Sequence, residues 1–219
     1  MTQPRIMRAA TMDLRDLSRR RVAMGLLLLL PLVFYGSASA GEGSFVLQVG
    51  GLGVAWAVVG AGVFLALGNR RLVPRLLLAG YRSTELAASQ LLLLAALSVP
   101  IAAAFAAVVA SLEDMEEPAT FLLAVMVTAL ISVPLGLVIG AVAPSELEGT
   151  LGLIGVLGMQ MSLPADAAAG AALPLYGPVQ LIEQAYSGNA PTDPAAALLH
   201  AAVAGTLLVA LALILARRR

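Results

Sequence analysis

The sequence predicts an all-α membrane protein with six transmembrane helices, an N-terminal interfacial elbow helix and a broken extracellular re-entrant hairpin before the last span. Three observations predict it. Apolar runs of about 20 residues, the length that crosses a hydrocarbon core, recur along the chain. Of the 219 residues, 60% are hydrophobic and only 12% charged, against about 25% charged in a soluble domain, so a water-soluble fold of this size would leave apolar surface uncovered. The cations are also sorted along the chain: there is no lysine, and all 13 are arginine.

The elements follow in order. Over residues 5–21, Ile6, Met7, Ala10, Leu14 and Leu17 fall on one side of a helix, with Arg5, Arg8, Arg15 and Arg19 on the other. Such a helix lies in the membrane interface, its arginines toward lipid phosphates or a partner. The same charges also suit a simple topology-setting role. Spans are expected near 22–40, 45–67, 86–110, 119–143, 147–163 and 195–216. A basic start before Gly25–Leu32 has the look of a signal peptide, but five further apolar segments follow, and the first span is expected to be retained. The fifth span is short and rich in glycine. The stretch 167–186 is apolar but interrupted by Pro174 and Pro178, which marks a broken, re-entrant or interfacial element. Nothing separates a second domain, so residues 1–219 form one membrane domain.

Orientation follows from the arginines, because cytoplasmic loops near span ends carry the excess of Lys and Arg. Six crossings put the N-terminus, the loops after spans 2 and 4, and the C-terminus on one side. Three of those four segments hold every arginine: 5–21, 70–82 and 217–219. The fourth, Pro144–Gly149, holds none. The opposite side holds Glu42, Glu113, Asp114, Glu116, Glu117, Asp166, Glu183 and Asp193 without a cation. Both termini are therefore expected in the cytoplasm.

Little inside the spans carries chemistry. His200 and Glu85 are the ionisable candidates, and both lie near span ends. A packed histidine and a substrate contact are both open for His200. Ion-coupled carriers need buried acids or unwound backbone, and no deep acid is present. Gln90, Ser98, Thr128, Ser132, Gln160, Ser162 and Thr206 suit interhelical hydrogen bonds. Gln160, in the short glycine-lined segment, is also a candidate pathway residue. Gly51, Gly53, Gly60 and Gly62, and Gly149, Gly152, Gly155 and Gly158, suit close helix packing. Without lysine there is no phosphate-binding loop of the G-x-x-x-x-G-K-[ST] type, so the chain is no P-loop ATPase. No metal-ligand spacing occurs, and no nucleic-acid partner is indicated.

The richest segment is NRRLVPRLLLAGYRSTELAASQ, Asn69–Gln90. Arg71, Arg75 and Arg82 supply charge, and Leu72 and Leu76–Leu78 supply apolar surface. An interfacial helix, a turn at Gly80 and the start of span 3 are expected, with Ser83 or Thr84 as its cap and Glu85 complementing its dipole. A surface of charge and leucine suits a cytoplasmic partner; a connector lying on lipid is the plainer use.

That segment resembles the region after the second span of ABC-2 type permeases, the membrane subunits of ATP-binding cassette exporters. Arg70, Arg71 and Arg75 are similar to the family's basic run, Leu76–Leu78 to its leucines, and RSTEL at Arg82–Leu86 to its R-x-E-L start of span 3. Gly80 stands where the family often has proline, and the usual acid in the basic run is missing. DLRDLSRRRVAMGLLLLLPLVF resembles the family's elbow and first span, LGLVIGAVAPSELEG the end of its span 4, and LPLYGPVQLIEQAYSG its extracellular hairpin before span 6.

The resemblance implies a permease in the bacterial plasma (inner) membrane that pairs with a second permease subunit, as a homodimer or heterodimer. Cytoplasmic ATPase subunits would carry ATP and Mg, and this chain would hold no cofactor and no catalytic residue. Arg70, Arg71, Arg75, Leu78, Arg82 and Glu85 would couple to the ATPase, with Arg8, Arg15 and Arg19 on the elbow. Gln160, Tyr176, Pro178 and Glu183 would line a pathway or gate. Sparse intramembrane charge suits a lipid, a drug-like molecule or a peptide as substrate. The alternative is a membrane sensor or an assembly or scaffold protein that transports nothing. The haem-exporter permeases share the six-span plan, but their characteristic loops find no match. An intramembrane enzyme lacks an acid pair or nucleophile in a span.

Overall fold

The computed structural model describes residues 5–19, 21–41, 43–162, 169–188 and 193–218. Among them the chain is all-helical, 87% helix with no strand. The helices are α1 (Arg5–Arg19), α2 (Arg21–Ser37), α3 (Ser44–Gly68), α4 (Val73–Leu78), α5 (Ser83–Ala110), α6 (Pro118–Val142), α7 (Glu146–Ser162), α8 (Tyr176–Ser187) and α9 (Pro194–Arg217), with 3₁₀ turns at Asn69–Arg71 and Gly170–Ala172. Away from water each backbone N–H must find its carbonyl within its own helix, which is why apolar runs of this length resolve into helices.

Among the described residues four segments are long and apolar enough to cross a membrane: Ser44–Arg71, Ser83–Ala110, Pro118–Val142 and Pro194–Arg217. The chain thus has the helices of a multi-pass membrane protein. They coincide within a turn with expected spans 2, 3, 4 and 6. The segments expected as spans 1 and 5 are α2 and α7, of 17 residues each. At 1.5 Å per residue each measures about 26 Å, a little short of a hydrocarbon core of about 30 Å.

The centre of the bundle is α3 against α6. Val54, Ala55 and Val59 on α3 and Phe121, Ala124, Val125 and Ala129 on α6 are fully buried. Glycine makes the approach possible. A Cβ on Gly136 would lie 2.5 Å from the Val59 carbonyl oxygen and 2.9 Å from its Cα. One on Gly62 would lie 3.0 Å from the Gly136 backbone, and one on Gly140 3.0 Å from Val63 Cα. Backbone meets backbone here, the small-residue packing that replaces the hydrophobic effect between helices in lipid. α2 packs on α3 and α7 lies along it, while α5, α8 and α9 pack on α6.

Several expectations are corrected. Gly149 and Gly152 do pack closely, against Val63 and Ile139, but Gly155 and Gly158 have nothing within 4 Å of a built Cβ. The membrane hydroxyls do not bridge helices. Ser98, Thr128, Ser132, Ser162 and Thr206 each donate to a carbonyl three or four residues back, at 2.7–3.2 Å. A short hydroxyl reaches its own helix more easily than its neighbour's. Pro174 lies in the break before α8, whereas Pro178 sits in the first turn of α8, where an N–H has no intrahelical partner to lose. Leu163–Ala168 lies outside the described residues.

Two substitutions separate these glycines. Gly136→Ala is expected to destabilise the fold by about 1–3 kcal/mol through overpacking. Gly155→Ala is expected to be neutral or stabilising by up to about 1 kcal/mol through helix propensity. Thermal unfolding in detergent reads both, and equal midpoints would contradict the close α3–α6 contact.

Candidate functional site

The residues singled out from the sequence gather at the two ends of α3. At 1.5 Å per residue the 25 residues of α3 hold those ends about 37 Å apart.

At the arginine-bearing end, α3 passes through the turn Asn69–Arg71 into α4. α4 ends in a Schellman arrangement. The Tyr81 N–H donates to the Leu76 carbonyl at 3.1 Å and the Gly80 N–H to the Leu77 carbonyl at 3.0 Å. Gly80 stands at φ +88°, a conformation suited to glycine. Arg82 then holds the N-cap position of α5, and its backbone N–H donates to the Glu85 carboxylate at 2.8 Å. The expected cap by Ser83 or Thr84 is therefore replaced: α5 starts at Ser83, too early for either hydroxyl to sit at the cap, and Glu85 reaches back instead.

The arginines of this segment divide by task. The Arg70 guanidinium donates to the carbonyls of Gly140 at 3.1 Å and Pro144 at 2.8 Å, and also to that of Ala143. These groups end α6 without intrahelical partners, and a cation there also opposes the helix dipole. Arg70 is thus occupied in closing α6. Arg71, Arg75 and Arg82 are exposed. Leu78 beside them is 91% exposed, which no packing within this chain explains.

The N-terminal helix is tied to the same segment. Asn69 Nδ2 donates to Asp13 at 3.0 Å, and Arg5 Nη1 donates to the Gly80 carbonyl at 2.7 Å. Arg8 and Arg15 on α1 are exposed. Arg19 ends α1, and its side chain lies outside the described residues. The structure therefore brings α1, α4 and the start of α5 together with the end of α6.

At the other end, polar side chains knit the helices together. Glu183 on α8 accepts from Gln48 Nε2 at 3.0 Å and from the Ser44 hydroxyl. The Tyr35 hydroxyl of α2 donates to Glu113 at 2.5 Å. Glu117 accepts from Thr120 at 2.7 Å and from Gln184 Nε2 at 3.0 Å, while its own N–H donates to the Ala185 carbonyl at 3.0 Å. Those side-chain hydrogen bonds, Thr120 first and Gln184 second, hold the Glu117 carboxyl below the usual carboxylate range against a smaller opposing effect of burial. Tyr176 stacks edge-on against His200, with ring centroids 5.4 Å apart. His200 Nδ1 accepts from the Gly177 N–H at 3.4 Å, so its Nε2 carries the proton and donates to the Ala171 carbonyl at 2.9 Å. His200 is a packed pin between α9, α8 and the turn at Gly170. Pro178 is buried in the first turn of α8. Gln160 is 8% exposed, and its carbonyl oxygen has no partner among the described residues.

Among the described residues no three His, Asp or Glu side chains come together as a metal site. The pairings Asn69–Asp13, Arg5–Gly80 and Glu117–Gln184 link residues 56 to 75 positions apart, and no local signal in the sequence announces them.

Arg70→Ala is expected to destabilise the fold by about 1.5–3 kcal/mol, the range for hydrogen bonds to a charged group, and so to lower the unfolding midpoint in detergent; an unchanged midpoint would remove its capping role. A lowered folded pKa means that the Glu117 contribution is present above its unfolded value and is lost as pH falls through the folded one. Glu117→Gln should therefore lower the midpoint at pH 7, and by less at a pH below the ordinary glutamate value of about 4.3. Equal differences at both pH values would contradict the assignment. No protein-family model matches the chain, and no curated protein matches it.

Proposed function

We propose that the chain is the membrane-spanning permease subunit of an ATP-binding cassette exporter. It forms a translocation path with a second permease subunit and is driven by separate cytoplasmic ATPase subunits that bind ATP and Mg. One observation carries this reading: Leu78, 91% exposed, stands among the exposed Arg71, Arg75 and Arg82 in a short segment, residues 69–82, that is hydrogen-bonded to α1 and to the end of α6. Arg70 ties that segment to the end of α6, and Asn69 and Arg5 tie it to α1. A push on this segment would pass through those hydrogen bonds to the end of α6 and to the elbow, which is what coupling to a moving ATPase requires.

In this reading the six crossings are α2, α3, α5, α6, α7 and α9. The two short helices are matched by local thinning of the bilayer. α1 lies in the interface, and α8 is the helix of an extracellular re-entrant hairpin. The arginines then face the cytoplasm of a bacterial plasma membrane, with both termini inside. Hydrolysis belongs to the partner, and the substrate is a lipid, a drug-like molecule or a peptide, in keeping with mostly apolar span surfaces.

The second reading is a sensor or scaffold without transport. The outer ties favour it, since Glu183 and Glu117 are spent joining α8 to α3 and α6.

A mild-detergent pull-down of the tagged chain from native membranes, read by mass spectrometry, tests the proposal. A stoichiometric soluble ATPase with a phosphate-binding loop is expected; the chain alone, or with a non-ATPase partner, favours the second reading. With the ATPase in hand, reversing Arg71, Arg75 and Arg82 to Glu should lower substrate-stimulated hydrolysis at least tenfold, about 1.4 kcal/mol, while membrane insertion is preserved. Unchanged hydrolysis in the well-folded triple variant counts against coupling.

A further inference from the structure

We propose that the cavity enclosed by α1, α4 and α5 binds the headgroup of an anionic phospholipid, with Arg75 taking the phosphate and Gln90 a headgroup or glycerol hydroxyl. The site is independent of the transport reading, because it needs only this chain.

The cavity measures 250 Å³. A water occupies about 30 Å³ of liquid volume, so the space admits a phosphodiester with its glycerol. Its wall is of two kinds. Met12, Leu76 and Leu86 are apolar, and Asn69, Arg75 and Gln90 are polar. Neither the Arg75 nor the Gln90 side chain has a hydrogen bond or ion pair among the described residues. Gln90 is half-buried two turns into α5 and also borders a smaller cavity of 50 Å³ against α6 and α9. Its amide is thus open to a ligand or water from the cavity.

Charge selects the ligand. Asp13 is the one acid among the described lining residues, and its carboxylate already accepts from Asn69. The Ser89 hydroxyl, also in the wall, is returned to the Leu86 carbonyl at 2.7 Å. Among the described residues Arg75 therefore remains as the charge without a partner, with Arg71 and Arg82 exposed on the same segment. An anion is favoured, and a guanidinium suits a phosphate geometrically. The leucine wall favours an amphiphile over a free ion, because inorganic phosphate gains nothing from apolar contact. The site also lies beside an amphipathic helix suited to the membrane interface, at the depth of lipid headgroups.

The purified full chain in detergent tests this, with thermal unfolding and native mass spectrometry as readouts and phosphatidylglycerol, phosphatidylcholine or inorganic phosphate as added probes. Phosphatidylglycerol should raise the midpoint and be retained, while the other two should not. Arg75→Glu should weaken that retention at least about fivefold. Gln90→Leu should weaken it with no change of charge. Arg71→Glu, the same charge change at a residue outside the cavity wall, should leave it intact. Equal loss in Arg71→Glu and Arg75→Glu would overturn the site in favour of general surface charge. Equal protection by inorganic phosphate would overturn it in favour of a free-anion site, and equal retention of phosphatidylcholine would remove the headgroup selection. If Arg75→Glu does not fold, Arg75→Gln repeats the test by removing the charge instead of reversing it, and Gln90→Leu still decides independently.

Discussion

Everything in this bundle hangs on the backbone contact between α3 and α6. Gly62, Gly136 and Gly140 let the two helices approach until one backbone meets the other, closer than any side chain would permit. In lipid the apolar side chains themselves provide little preference for protein over solvent, so packing at such contacts carries the association. The other helices are placed by reference to this pair: α2 and α7 against α3, and α5, α8 and α9 against α6.

The two ends of the pair are fixed by polar groups of opposite character. At the arginine-bearing end Arg70 closes the last turn of α6, and two further hydrogen bonds bring α1 against the same segment. At the other end carboxylates accept from hydroxyls and amides across α2, α3, α6 and α8. In the proposed coupling, a movement of residues 69–80 would pass through these hydrogen bonds to α1 and to the end of α6. That mechanical linkage is the physical content of the proposed coupling. The same closure of α1 over α4 and α5 creates the cavity assigned to a lipid headgroup, so one set of contacts serves both ideas.

The helices were legible because bilayer-length apolar runs leave few alternatives. The turn at Gly80 was legible too, since its glycine follows a leucine-rich helix. What the sequence did not disclose is how each polar residue spends its hydrogen bonds. Arg70 reads like Arg71 and Arg75, yet it alone reaches the α6 carbonyls, a matter of where α6 ends in space. Glu85 displaced the expected hydroxyl cap because α5 starts at Ser83, ahead of the apolar run at Leu86. Gly155 and Gly158 share the spacing of Gly149 and Gly152 but face open space, because α7 meets α3 along part of its length. The serines and threonines offered no sign of whether they would bond across helices or within one.

The proposed topology turns the exposed arginines and Leu78 toward the cytoplasm and puts the carboxylate network on the other side of the membrane. The chain contains no cysteine, so single cysteines report side directly. Ser111 and Ser145 are both exposed, in the turns after α5 and α6. In intact cells a membrane-impermeant maleimide should label Ser111→Cys, and it should label Ser145→Cys only after permeabilisation. Labelling of Ser145→Cys from outside, or protection of Ser111→Cys, would reverse or break the topology and contradict the account.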